Sequence, residues 1–175
     1  MPQGGAYPQP LDDAKQVDLQ WAELQSTRTQ LVAILKVSSL NPESEPTVDH
    51  YYEIDFSNGG ERYHVTAGFN RTGDTADVYH VIAGGDPPED SDSPGSSAGQ
   101  GIGTAEGVLD TRKGTVTLTA DLAVFATVKA LSGSLTKIRV ATWSGGSAVA
   151  VAAYGSDDFG KTTKPYRLGT RSCVG

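Results

Sequence analysis

The stretch YYEIDFSNGGERYHVTAGF, residues 51–69, decides the fold. Two runs of alternating apolar and polar residues flank Asn58-Gly59-Gly60, which is the sequence pattern of a β-hairpin. One face of each run is apolar, formed by Tyr52, Ile54 and Phe56 on the first and by Tyr63, Val65 and Ala67 on the second. The sequence therefore predicts two half-buried antiparallel strands joined by a tight turn.

The turn can be placed in two ways, and its position decides which side chains lie opposite each other. With Asn58-Gly59 as a two-residue type I′ turn, Asp55 lies opposite Arg62 and the polar face pairs opposite charges. With Gly59-Gly60 as the turn, the two faces stay the same and the partners change. In both cases we expect the face that carries Asp55, Arg62 and His64 to be open to solvent or to a partner. We expect chemistry elsewhere, at the ends of the domain or on its acidic loop.

The rest of the chain continues this pattern of short strands separated by turn-forming residues. Residues 30–40, QLVAILKVSSL, are apolar on both faces, which is typical of a central strand. The run 121–131 differs, because its apolar residues recur near helical spacing, and it predicts one short helix. About eight to ten short strands at this spacing predict an all-β fold, an antiparallel β-sandwich of the jelly-roll kind.

The chain divides into one domain and three less regular segments. Residues 1–12 are rich in Pro, Gly and Gln and predict a linker or an N-terminal arm. The tract 84–103 is acidic and rich in Ser, Gly and Pro, which predicts a mobile loop between strands. With a tail expected at 171–175, residues 13–170 remain as a single sandwich domain.

Composition limits the partners. The 175 residues carry 21 Asp and Glu against 14 Lys and Arg, a net charge of −7 that repels nucleic acid and anionic lipid. No apolar run reaches the roughly 20 residues that a transmembrane helix needs. We therefore expect neither a nucleic-acid partner nor membrane insertion. Cys173 is the only cysteine, which makes it either an inert thiol or a partner for a cysteine in another segment.

Several motifs lack the context that their chemistry needs. The G-x-S-x-G pattern at 95–99 lies in the acidic tract, without the strand and helix that a nucleophile elbow requires. The run 90–95 begins like an EF-hand loop, but its twelfth position is Gly101, where a glutamate is required. The three histidines are better explained as neutral surface or cross-strand residues than as metal ligands.

Carboxylates near the two ends of the domain offer a calcium site. Asp12, Asp13 and Asp18 lie beside the first predicted strand. Asp157 and Asp158 follow the last strong strand. Since the first and last strands of a sandwich often lie close together, these carboxylates could surround one hard cation. The alternative is that they are ordinary turn-forming aspartates.

Aromatic residues offer a second kind of site. Glycan-binding sandwiches present flat aromatic rings beside Asp, Asn and Arg side chains. The candidates for such a sugar-stacking face are Tyr51, Tyr79, Trp143 and Tyr154. Core packing explains each of the four equally well.

The order of the motifs resembles that of a known class of domains. After the aspartates at 12–13 come an apolar strand at 31–37, Y-x-x-x-F at 52–56, Y-x-V-x-A at 63–67, L-x-x-I-x-V-x-T at 135–142 and Y-x-L-G at 166–169. This order resembles the accessory β-sandwich domains of secreted actinobacterial proteins, and it is loosely similar to DOMON and family-nine carbohydrate-binding sandwiches. The resemblance implies a non-catalytic sandwich that binds sugar or calcium. It does not extend to haem, because Met1 is the only methionine and the haem-ligating Met and His of cytochrome-type DOMON domains are not matched.

These features together predict a function. We expect a non-catalytic accessory module, extracellular or at the cell surface, that recognises a polysaccharide, another cell-surface polymer or a neighbouring protein domain. The alternative is a structural subunit of a phage or surface assembly, and the alternative location is a virion. A hydrolytic enzyme ranks third, because no convincing set of catalytic residues can be assembled from the sequence.

Overall fold

The computed structural model describes residues 18–40, 49–69, 78–84, 99–145 and 165–174. Within these ranges no helix has the length and apolarity that crossing a bilayer requires. The described elements, in chain order, are β1 (Leu19–Ser26), β2 (Gln30–Val37), β3 (Asp49–Asn58), β4 (Glu61–Phe69), β5 (Val78–Ala83), β6 (Gln100–Thr104), β7 (Glu106–Asp110), β8 (Thr115–Asp121), α1 (Leu122–Phe125), β9 (Ser134–Gly145), β10 (Tyr166–Arg167) and β11 (Arg171–Val174).

The strands form two antiparallel sheets that pack face to face. The five-stranded sheet has the order β11-β1-β2-β8-β7, and the six-stranded sheet has the order β10-β9-β3-β4-β5-β6. Residues from the inner faces of both sheets make one hydrophobic core. The predicted all-β sandwich is therefore confirmed. The short helix predicted within 121–131 is confirmed as α1, whose Phe125 is buried in the core.

The hairpin of β3 and β4 turns at Gly59-Gly60. Asn58 pairs with Glu61, and the two glycines have φ angles of +59° and +91°, as a type I′ turn requires. The first of the two turn placements that the sequence allowed, at Asn58-Gly59, is therefore wrong, and the second is correct. As a result Asp55 lies opposite His64. Two adjacent glycines suit this turn because both of its central residues need positive φ.

The tip of this hairpin is held by the segment that follows α1. The buried Asn58 donates through Nδ2 to the carbonyl oxygens of Ser132 and Ser134, at 2.8 and 3.0 Å, and its Oδ1 accepts a hydrogen bond from the Ser132 N–H. Lys129 Nζ donates to the Gly59 carbonyl. These contacts keep Asn58 in the strand and leave Gly59-Gly60 to form the turn.

Aromatic packing anchors the hairpin in the core. The rings of Phe56, Tyr63 and Phe125 contact one another with centroid distances of 5.3 to 5.8 Å. The Tyr63 hydroxyl donates to the Lys129 carbonyl, so its polar end is also satisfied. The alternation predicted from the sequence thus places the apolar side of β3 and β4 against the core, and the opposite, polar side becomes the outer face of the six-stranded sheet.

Two segments expected to be irregular contain strands. Gln100–Thr104 forms β6 beside β5, although the sequence assigned residues 100–103 to the end of the acidic loop 84–103; residues 85–98 lie outside the described residues. Arg171–Val174, expected to be a tail, forms β11 beside β1. Arg171 donates to both oxygens of the buried Glu23, and this pair helps to fix the short polar strand at the edge of the sheet. The predicted arm at 1–12 lies outside the described residues.

Candidate functional site

A group of ionisable side chains lies on the outer face of the six-stranded sheet, at its central strands. Because side chains alternate along a strand, Glu53 and Asp55 of β3 point away from the core, and so does His64 of β4. The sequence predicted that this face is open to solvent or to a partner. The structure contradicts the first of these alternatives for the residues at the centre of the face, since the exposed fractions of Glu53, Asp55 and His64 are 6%, 1% and 0%. We call these three residues the acid–histidine cluster.

The cluster is connected by direct hydrogen bonds. His64 Nδ1 donates to Asp55 Oδ1 and lies 3.6 Å from Glu53 Oε1. His64 Nε2, on the other side of the ring, donates to the carbonyl oxygen of Gly84 at 3.1 Å. Thr66 Oγ1 donates to Glu53 Oε2 at 2.7 Å. Every polar atom of the imidazole is therefore held in a fixed direction.

The two carboxylates favour the charged form of the histidine. Burial alone would lower the pKa of His64, but hydrogen bonds and charge interactions with Asp55 and Glu53 raise it to about 9. In the absence of any other cation the ring is an imidazolium at neutral pH, with both nitrogens donating. The expectation of a cross-strand role for this histidine agrees with its position, whereas a neutral surface side chain does not.

The pKa values of the two carboxyl groups are shifted in opposite directions. Burial would raise the pKa of Asp55, but the hydrogen bond and charge of His64, together with the charge of Arg62, hold it below its usual value. Glu53 differs, because burial and the nearby Asp55 charge raise its pKa more than the contact with His64 lowers it.

Two arginines lie beside the cluster. Arg62 Nη2 is 3.7 Å from Asp55 Oδ2, which is an ion-pair distance but too long for a hydrogen bond. In the described part of the chain, Asp55 Oδ2 and Arg62 Nε are buried atoms without a hydrogen-bond partner. Arg139 of β9 pairs with Asp55 in the strand register and is half-buried.

The cluster also has the composition of a metal site. One oxygen from each carboxylate and one nitrogen of His64 lie within 4.8 Å of one another. Among the described residues this is the single group of three such side chains at that spacing. The sequence did not predict this site, because the polar pattern of Glu53, Asp55 and His64 indicates a face outside the core. The sequence pattern that could have indicated the site is Glu53-x-Asp55 on one arm of the hairpin, with His64 on the facing arm.

Two of the four aromatic residues predicted to form one sugar-binding face, Tyr51 and Tyr79, lie on opposite sides of the six-stranded sheet. Tyr51 of β3 is half-buried on the outer face, and its backbone pairs with that of Trp143 in β9. Tyr79 of β5 is on the opposite side of the sheet, where it packs against the core and over Gly107 of β7. Tyr154 lies outside the described residues. Tyr51 and Tyr79 therefore cannot stack on the same sugar chain across one face.

The predicted calcium residues are mostly outside the described ranges, which exclude Asp12, Asp13, Asp157 and Asp158. Asp18 is described and exposed. Its Oδ2 accepts hydrogen bonds from Ser38 Oγ and from Gln20 Nε2. The calcium site stays a prediction, as does the assignment of residues 95–98 to a loop without catalytic function.

Comparisons of the chain with protein-family models, with curated proteins and with solved structures gave no match. The resemblance to actinobacterial accessory, DOMON and family-nine carbohydrate-binding sandwiches therefore stays a prediction from the sequence.

Proposed function

We propose that this domain is a non-catalytic binding module that recognises a glycan or another cell-surface polymer through the outer face of its six-stranded sheet. The observation that carries the proposal is the acid–histidine cluster with its adjacent arginines, on a face that does not contribute to the core between the sheets. An extracellular or cell-surface location is part of the proposal.

The energetics of buried charge support a role beyond stability. Removing charged groups from water costs several kcal/mol per ion, and a buried ion pair often stabilises a fold less than apolar residues of the same volume would. Alternating apolar residues at these positions of β3 and β4 would hold the sandwich at least as well. Charged residues at the centre of a sheet face are therefore better explained by what they position.

The side chains available for contact surround the buried cluster. Tyr51 and Arg62 are partly exposed on this face, and His80 of β5 is exposed beside Thr66. An aromatic ring and a guanidinium suit a sugar, which offers an apolar ring face and a rim of hydroxyl groups. The buried Asp55 holds Arg62 by charge, and the buried Glu53 accepts the hydroxyl of Thr66. The cluster would thus fix the direction of groups that contact the ligand.

Binding to an array of immobilised polysaccharides tests this proposal. We expect Tyr51→Ala and Arg62→Ala each to weaken binding roughly 3- to 10-fold, since one aromatic or charged contact contributes about 1 kcal/mol. Trp21→Ala is the matched control, because it removes an exposed ring from the outer face of the other sheet. Circular dichroism would establish that each variant is folded. A wild-type protein that binds no polymer on the array would refute the proposal.

A subunit of a phage or surface assembly is the second candidate, and exposed apolar residues favour it. Trp21 and Val108 lie on the outer face of the five-stranded sheet with exposed fractions of 41% and 63%. Such residues can form a contact between copies. Light scattering distinguishes the two functions: discrete oligomers that dissociate in a Trp21→Ala, Val108→Ser double variant would support assembly, and a monomer at all concentrations would refute it.

A further inference from the structure

We propose that the acid–histidine cluster is a binding site for one divalent transition-metal ion, with His64 Nδ1 and one oxygen each of Glu53 and Asp55 as its ligands. This inference concerns the same cluster as the glycan-binding proposal, but it does not require that the domain binds a sugar. Nitrogen and carboxylate ligands at about 2.0 to 2.2 Å suit Zn²⁺ in tetrahedral geometry, which keeps ligand atoms roughly 3.3 to 3.6 Å apart. The distance from His64 Nδ1 to Glu53 Oε1 is 3.6 Å. The ion would take the place of the proton between His64 and Asp55. Because these two side chains are in direct hydrogen-bond contact, they would have to move apart to the spacing of tetrahedral ligands.

The surrounding groups orient the ligands as they do around protein-bound metals. A metal-binding histidine usually donates its other ring N–H to a carbonyl or carboxylate oxygen, which fixes the tautomer. Here His64 Nε2 donates to the Gly84 carbonyl, and Nδ1 is the nitrogen that faces both carboxylates. Thr66 occupies Glu53 Oε2, so that Oε1 is the oxygen directed at the ring. With Nε2 of His64 and Oε2 of Glu53 held by these hydrogen bonds, Nδ1 and Oε1 are the atoms that could coordinate the ion.

An unpartnered buried atom is the second observation that indicates a ligand. Within the described residues, Asp55 Oδ2 accepts no hydrogen bond although Asp55 is 1% exposed. Arg62 Nη2 lies 3.7 Å from that oxygen, which is beyond hydrogen-bond distance. A divalent ion with a neutral imidazole would balance both carboxylates, which lowers the cost of burying them.

The ligand set favours a transition metal over calcium. Ca²⁺ takes six to eight oxygen ligands, whereas imidazole nitrogen is a common ligand of zinc and its neighbours. The cluster is also separate from the calcium set predicted from the sequence, since it shares no residue with Asp13, Asp18, Asp157 and Asp158. Three protein ligands would leave a fourth position on the ion, which is the arrangement of sites that bind a further molecule.

Metal titration of the full chain, first stripped with EDTA, tests the proposal. We expect equilibrium dialysis to show one Zn²⁺ per chain and Zn²⁺ to raise the melting temperature. Co²⁺ as a spectroscopic substitute should give visible absorption bands of a nitrogen- and oxygen-ligated tetrahedral ion. His64→Gln and Asp55→Asn should each weaken binding at least 100-fold. Thr66→Val should weaken it about 10- to 100-fold by removing the support of Glu53.

His80→Gln is the matched control, because it removes an exposed histidine from the neighbouring strand of the same sheet. It should bind Zn²⁺ as the wild type does. Retention of the ion by His64→Gln with wild-type affinity would overturn the proposal. If the ligand variants do not fold, the wild-type measurements decide: no stoichiometric Zn²⁺, no Co²⁺ bands and an unchanged melting temperature would likewise overturn it.

Discussion

Replacing one residue of the acid–histidine cluster should lower the stability of the protein, whereas replacing all three with apolar residues should leave the stability unchanged or raise it. His64→Leu removes the imidazole that hydrogen-bonds Asp55 and lies 3.6 Å from Glu53 Oε1, and it leaves Glu53 and Asp55 buried side by side. The lost charged hydrogen bond to Asp55 contributes about 1.5 to 3 kcal/mol, and the bond to the Gly84 carbonyl about 1 kcal/mol. With the repulsion between two buried carboxylates added, we expect His64→Leu to cost about 3 to 5 kcal/mol, the range for breaking a buried ion pair.

The triple variant Glu53→Met, Asp55→Val, His64→Leu keeps the approximate volumes and removes all three charges. Apolar replacement of a complete buried ion network is often neutral or stabilises by about 1 to 4 kcal/mol. We therefore expect the triple variant to be at least as stable as the wild type, although it contains the same damaging substitution. This difference would show that the cluster is retained for something other than folding.

Urea unfolding at neutral pH with EDTA, followed by circular dichroism, measures the effect. With an m-value of about 2 kcal/mol per molar urea, a loss of about 4 kcal/mol lowers the midpoint by about 2 M. His80→Leu, on the same sheet face but exposed, should stay within about 0.5 kcal/mol of the wild type. If the triple variant were destabilised as much as His64→Leu, the cluster would be a structural element and the functional interpretation of its burial would fail.

Three further predictions concern the scaffold. In Gly107→Ala the new Cβ would lie 1.8 Å from Cε1 of Tyr79, so we expect a loss of about 1 to 3 kcal/mol, and an unchanged melting temperature would refute the packing of that ring. Asn58→Ala removes three hydrogen bonds made by the side chain of a buried residue and should cost about 2 to 3 kcal/mol in urea unfolding; a cost below about 0.5 kcal/mol would contradict the role of these bonds in fixing the turn. The hydrogen bonds from Arg171 lower the pKa of Glu23, whose stabilising contribution is therefore present above its ordinary value of 4.5 and is lost as pH falls through the lowered one. Arg171→Ala should flatten the acid limb of a plot of stability against pH, and an unaltered acid limb would show that the pair is not maintained in solution.

Local sequence chemistry was sufficient for the sandwich and for the hairpin but not for the register. Alternating apolar residues and the Asn-Gly-Gly turn fix two strands and their inner faces. Both turn placements were acceptable locally, because each had residues that tolerate positive φ. The position of the turn is determined by Asn58, because its side chain hydrogen-bonds the backbone at Ser132 and Ser134, more than 70 positions away in the chain. Contacts at that separation leave no trace in a local pattern.

The candidate site could not be predicted from the sequence for a related reason. A polar strand face predicts contact with water, and the alternation of Glu53 and Asp55 with apolar residues followed that rule. Their burial depends on what lies over the face, not on the residues themselves. The prediction for Tyr79 was wrong for a different reason. Because β5 has apolar residues on both sides, the alternation of its side chains did not show which side faces the core. The close approach of the ring to Gly107 shows that it lies on the core side. The strand at Arg171 exists because β1 offers a partner and Glu23 a counter-charge.

The pairing of β11 with β1 has a mechanical consequence. The two strands are antiparallel, with Ala22 opposite Val174 and Gln25 opposite Arg171, so the start of one lies beside the end of the other. Tension applied at these neighbouring ends would load their hydrogen bonds one after another, as in a zipper, instead of all at once. The five-stranded sheet should therefore peel open from this edge at low force. The central strands β3 and β4 belong to the other sheet and do not carry this load. The acid–histidine cluster should therefore stay intact after β11 has separated from β1.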